Sequence, residues 1–209
     1  MKLPQSLLLL TFFTYLLASV WADSKPGYQP QEGDLAFQSL PHNLLIDCIE
    51  GSTGSPFSHC GILHKKADGG WFVIEAIGPV KETPLAAWTS QGREGQYSVY
   101  RLKKAYADKI PTFITAAQGY EGLPYDIHYS MDDAAIYCSE LIYKAFKKAT
   151  GEEMGHLQKL GDLHWQPYEA LIRQIEGGSL PLDRQMITPK SLTEAAQVDK
   201  VYEAAAADR

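Results

Sequence analysis

The chain has 209 residues, 45% of them hydrophobic, enough apolar material for one domain with a substantial core. Its formal charge is −6 at pH 7, and no basic stretch carries interleaved aromatic residues. Nucleic acid is held mainly by lysine and arginine on phosphates, so that class of partner is excluded.

Residues 1–22 are a different kind of sequence. Lys2 gives a short basic start, the stretch from Leu7 to Trp21 is almost wholly apolar, and Val20-Trp21-Ala22 offers the usual cleavage spacing. The apolar run is short for a bilayer span, which needs about 20 residues. The expectation is a secretory signal peptide cut after Ala22, with an uncleaved N-terminal anchor as the alternative. The mature protein is then exported, periplasmic or extracellular, and keeps no stable membrane span.

Residues 23–32 are polar, hold Pro26 and Pro30, and are predicted to be a linker. The domain is expected over 33–200. Residues 33–40 alternate like a strand, 41–50 suit a short helix, and 51–56 a loop. Two strands follow at 58–65 and 71–77, joined by a turn at Asp68-Gly69-Gly70. Residues 78–95 are predicted to be mostly loop, with one helical turn at 84–88, and Lys81, Trp88 and Arg93 are candidates to line a site. A strand over 96–103 precedes a helix over 108–119, whose first turn tolerates Pro111.

The strongest pattern runs from Ile136 to Thr150. Leu141, Ile142, Ala145 and Ala149 recur at helical spacing, Lys144, Lys147 and Lys148 take the other face, and Gly151 marks the stop. Beyond it, 155–167 is expected to be irregular, 168–175 and 189–197 helical, and 201–209 a flexible tail. Strands precede the main helices rather than alternating with them, which predicts an α+β fold.

Cys138 falls in the first turn of the 136–150 helix, where free backbone N–H groups and the helix dipole favour a thiolate. A cysteine there is either a nucleophile or a small hydrophobe packed under the helix. Alternation puts His59, Gly61 and Leu63 on one face of their strand and Cys60 and Ile62 on the other. The partner strand is apolar on both faces, so Glu75 is a carboxylate in a largely buried strand and needs a partner. His59 is the obvious one. Together the three supply a nucleophile, a base, and a group to orient the base.

Three cysteines in an exported chain leave at least one unpaired. A Cys48–Cys60 bridge would free Cys138, and the other two pairings stay open. Cys48, His59, Cys60 and His64 are also nitrogen and sulfur ligands, but their spacing matches no familiar zinc pattern. Neither a metal nor any other cofactor is expected.

The pattern of Gly33-Asp34-Leu35-Ala36-Phe37, Ser58-His59-Cys60-Gly61-Ile62, Val73-Ile74-Glu75-Ala76, Gly122 with Tyr125-Asp126, and Tyr137-Cys138-Ser139-Glu140-Leu141 resembles the YiiX/YebB-like group. These are circularly permuted, papain-like cysteine amidases related to the NlpC peptidases. The resemblance covers roughly residues 33–148. It implies a permuted papain-like fold, an antiparallel sheet packed on helices, with Cys138 as nucleophile, His59 as base and acid, and Glu75 orienting His59. The backbone N–H of Cys138 would serve the oxyanion, and Tyr125 and Tyr137 would stand near the substrate. Cys60 departs from the aliphatic residue expected there.

The implied activity is cleavage of an amide through a thioester, on a small peptide or amide such as a peptidoglycan stem peptide. Two alternatives stay open. One is a thiol-dependent lipid acyltransferase or esterase, whose relatives often carry a second histidine where Glu75 stands. The other is an exported binding module without chemistry.

Overall fold

A computed structural model describes residues 27–204. The expected signal peptide and the last five residues lie outside the described residues. The chain runs β1 (Leu35–Gln38), α1 (Leu44–Thr53), β2 (His59–Lys65), β3 (Trp71–Glu75), β4 (Lys81–Pro84), α2 (Leu85–Gln91) and β5 (Tyr97–Leu102). It continues with α3 (Ile110–Gln118), α4 (Cys138–Thr150), β6 (Gln158–Lys159), α5 (Glu169–Ile175), β7 (Gln185–Met186), α6 (Pro189–Thr193) and β8 (Val198–Glu203).

Six strands form one antiparallel sheet in the order β4-β3-β2-β1-β5-β8, and β6 and β7 make a separate ribbon. The fold is therefore the expected α+β arrangement, with most strands ahead of the main helix.

The alternation of side chains assigns the two faces. Leu35, Phe37, Cys60, Ile62 and Ile74 point to the side covered by α3 and α4, where they meet Leu141, Ile142, Ala145 and Phe146. Ala36, Leu63 and Val73 point the other way, beneath Trp88 of α2. Both faces of the central strands are thus covered, which is why they read as nearly continuous apolar runs. Burying each large aliphatic or aromatic side chain here contributes about 1.5–3 kcal/mol. Gly61 is required by close packing, since a Cβ there would lie 2.4 Å from Val73 Cγ1 and 2.8 Å from the Ile74 carbonyl oxygen.

Four expectations are corrected. Residues 81–91, read mostly as loop, form an edge strand and a helix, because β4 pairs with β3 and the wholly buried Trp88 anchors α2. The linker is tied to the domain from Tyr28 onward: the Tyr28 hydroxyl donates to Asp34 Oδ2 at 2.6 Å, and Glu32 pairs with His64 at 2.6 Å. Residues 201–203, assigned to the tail, finish β8, where Tyr202 stacks on Tyr28 with ring centres 5.0 Å apart.

The fourth concerns the cysteines. All three are free. Cys48 packs with Leu160 and Ile172, away from the cluster that holds Cys60, so α1 is not fastened to the hairpin by a bridge. Among the described residues, no helix is long and apolar enough to cross a membrane.

Candidate active site

Cys138 opens α4. The preceding Tyr137 is extended and its N–H donates to Glu140 Oε2 at 3.3 Å, which fixes the entry into the first turn. First-turn N–H groups have no acceptor within their own helix, so they are available to an anion at the sulfur. Packing of α4 over β2 carries the sulfur to the start of that strand. There it meets both the His59 imidazole and the Cys60 thiol.

His59 Nε2 lies 2.6 Å from Glu75 Oε2, with both side chains almost wholly buried. That leaves Nδ1 as the ring nitrogen for Cys138. Glu75 is itself held from the other side, since the Thr83 hydroxyl of β4 donates to Oε1 at 2.5 Å. Trp88 packs beside the imidazole, ring centres 6.0 Å apart, and closes that side to water. The structure thus brings Cys138, His59 and Glu75 into one connected line.

Electrostatics follow from this line. Burial pulls the His59 pKa down, but the Cys138 and Glu75 contacts outweigh it and raise it to about 9. The Cys60 thiol and then the His59 ring hold Cys138 well below the ordinary thiol range, against its burial. Burial pushes Glu75 up, yet His59 and Thr83 bring its carboxyl below the usual range. These shifts all favour a thiolate–imidazolium pair backed by a carboxylate. Such a set can attack an acyl carbon and then protonate the leaving group.

A cavity of about 100 Å³ opens beside Cys138, and its exposed surface is mostly apolar, with Ser52, Ser58, His128, Glu176 and Arg184 among its polar lining residues. Leu45 and Ile49 come from α1, Leu163 from the following loop, Ile172 and Ile175 from α5, and Ile187 from the segment before α6. Cys48, Tyr129 and Tyr137 also line it.

Of the two expected tyrosines, Tyr137 walls this cavity and accepts the Ile187 N–H at 2.9 Å. Tyr125 stands close enough to Cys138 and Cys60 to feel their charge, and burial pushes its phenol well up, so it stays protonated. Lys81, Trp88 and Arg93 do not line the cavity. Lys81 lies opposite Glu75 in the sheet, Trp88 covers His59, and Arg93 pairs with Glu50 at 3.1 Å.

Alternation alone turns Cys60 away from His59. It does face away from His59 along the strand, but α4 covers that face and delivers the sulfur beside it. Thr83 carried no signal, since a threonine in a proline-bounded stretch reads as loop. Among the described residues, no three His, Cys, Asp or Glu side chains gather to hold an ion, so the ligand set Cys48, His59, Cys60 and His64 does not assemble.

A helix-start cysteine facing a histidine and carboxylate from strands that precede it defines a papain-like arrangement in permuted order. Residues 29–202 match the profile of the permuted papain-like amidase enzymes, YaeF/YiiX, and the chain belongs to that family. It is 33% identical to the uncharacterized protein YiiX of Escherichia coli (strain K12) over 181 residues, covering 84% of this chain and 87% of that one. The crystal structure of metalloprotein yiiX from Escherichia coli O157:H7 superposes with a TM-score of 0.78 at 31% identity, covering 85% of this chain and 99% of that one.

Proposed function

We propose that this protein is a thiol amidase that transfers an apolar acyl group from an amide to water through a thioester on Cys138. The observation that carries the reading is the mostly apolar cavity that Cys138 lines. A hydrocarbon chain entering it loses water at no polar cost. A stem peptide carries more carboxylates and amides than the few polar lining residues, His128 and Arg184 among them, can pair, and each group left unpaired costs about 1–3 kcal/mol. The cavity therefore favours a fatty amide over the cell-wall peptide.

In this reading the Cys138 thiolate attacks the acyl carbon while first-turn N–H groups of α4 receive the oxyanion. One such donor is worth about 3 kcal/mol in the barrier. The His59 imidazolium then protonates the departing amine. With its proton gone, the ring takes one from water, and the hydroxide releases the acid from the thioester. Glu75, steadied by Thr83, keeps Nε2 as the donor side of the ring so that Nδ1 faces the sulfur. Tyr137 walls the acyl path, and Tyr125 presents a protonated hydroxyl near the substrate carbonyl.

Export belongs to the same reading and is supported by residues 1–22 of the sequence alone. The Escherichia coli O157:H7 relative is described as a metalloprotein. The donor set here does not fit that role, because no three ligating side chains converge among the described residues, and no step is assigned to a metal.

The test is turnover of N-acyl amides of graded chain length, with amine release as the readout. Rates that rise with chain length and vanish in Cys138→Ala support the reading. Better turnover of short polar peptides than of long acyl amides would overturn the acyl assignment.

A further inference from the structure

Cys60 favours the Cys138 thiolate, but in the proposed reaction its own sulfur makes and breaks no bond. It is wholly buried on the α4-facing side of β2, in the same buried cluster as Cys138, where α4 packs on β2 and brings the two thiols together. No disulfide joins them. Cys138 is the more reactive of the two by position: it opens a helix, meets an imidazole, and lines a cavity through which a small molecule can arrive. Cys60 lies beside the same sulfur, on a strand that the sheet holds in place. This is the disposition of an attacking sulfur and a second sulfur waiting for its oxidised form.

We propose that Cys138 and Cys60 form a reversible oxidation site for small peroxides. The Cys138 thiolate attacks one peroxide oxygen, the O–O bond breaks, and the departing hydroxide leaves as water with the proton of the His59 imidazolium. Cys138 is now a sulfenic acid. The Cys60 sulfur attacks it, an S–S bond forms as the S–O bond breaks, and the Cys60 proton leaves with the hydroxyl as a second water. Two thiols lose two electrons and one peroxide becomes two waters. The nucleophile is then stored as a disulfide, protected from sulfinic acid, and a dithiol returns it to service. Without Cys60 the sulfenic acid is exposed to a second peroxide and oxidises irreversibly.

The site depends on the two sulfurs and not on the substrate, so it is tested without turnover. The full protein is treated with hydrogen peroxide, quenched in acid, and read by intact mass and peptide mapping, before and after dithiothreitol. Wild type should lose about 2 Da, with a peptide joining Cys60 to Cys138, and dithiothreitol should restore a free Cys138 that iodoacetamide labels. Cys60→Val and Cys60→Thr should instead gain about 32 Da at Cys138, the mass of two oxygens, which dithiothreitol does not remove. Wild type that gains this mass at Cys138 without bridging overturns the proposal, as does a bridge from Cys138 to Cys48. Wild-type mapping decides the matter even if neither variant folds. An amidase assay that fails while the bridge forms would strike the function reading and leave this one standing.

Discussion

Replacing Glu75 by glutamine removes a charge and keeps the shape. Glu75 is fully buried, with one oxygen 2.6 Å from His59 Nε2 and the other accepting the Thr83 hydroxyl. In Glu75→Gln the carboxamide oxygen can face His59 while its NH2 donates to Thr83, whose hydroxyl turns to accept. Each heavy atom keeps a hydrogen-bond partner, so most of the loss is electrostatic. A hydrogen bond to a charged group contributes about 1.5–3 kcal/mol and a neutral one about 0.5–1.5, a difference of about 1–2 kcal/mol. At about 1.4 kcal/mol per unit, the His59 pKa should fall by about one unit.

The starting point is a pKa of about 9, raised because the carboxylate and the sulfur favour the protonated ring. Losing the carboxylate lets the proton leave at lower pH, so the alkaline limb of kcat/KM moves down by about one unit. Stability moves with it. The part due to the raised His59 pKa is fully present below about 6.5, the unfolded value, and is lost as pH climbs through about 9. Glu75 itself stabilises above its unfolded value, and that share disappears as pH falls through its lowered pKa. The assays are a pH profile of kcat/KM and urea unfolding at pH 6 and pH 10. The variant should be less stable than wild type by about 1–2 kcal/mol at pH 6 and nearly equal to it at pH 10. An alkaline limb that stays near 9 in the variant refutes the electrostatic reasoning.

Other perturbations have outcomes of comparable clarity. His59→Ala should remove turnover almost as fully as Cys138→Ala and slow iodoacetamide labelling of Cys138 near neutral pH, because the thiolate loses its imidazolium. Gly61→Ala forces a methyl against Val73 and the Ile74 carbonyl and should cost about 1–3 kcal/mol by urea unfolding, if it folds at all. Asp34 is wholly buried and accepts Arg101 through both oxygens, at 2.7 and 2.8 Å, while Arg101 keeps contact with water, so Asp34→Ala should cost about 1.5–3 kcal/mol. Ile172→Asp places a carboxylate in the apolar cavity and should raise KM for long acyl amides while leaving Cys138 labelling by iodoacetamide intact.

What could be read in advance divides along physical lines. The helix of Cys138 was legible because its apolar and lysine positions repeat at 3.6 residues, and Gly151 ends it in the left-handed conformation that glycine tolerates. His59 and Glu75 were legible because a carboxylate in a strand covered on both faces must find a partner. The relation of Cys60 to Cys138 was not. Alternation gives the face of a side chain but not which distant element covers that face, and here the answer is the nucleophile's own helix. The cavity beside Cys138 was equally hidden, since its walls come from α1, α5 and loops whose meeting is set by tertiary packing. Strand β8 was concealed by composition: Val198–Glu203 carries four polar or charged residues because it is an edge strand facing water, paired to β5 mainly through its backbone.

The central claim is that the Cys138 sulfur carries the acyl group. The most direct test is intact mass after an acid quench during turnover of a long-chain acyl ester or amide, with peptide mapping of the adduct. The account predicts a thioester on the peptide that begins α4, formed at a rate competent for turnover, removed by hydroxylamine, and absent in Cys138→Ala. Steady turnover by Cys138→Ala, or an acyl group found on any other residue, would contradict it.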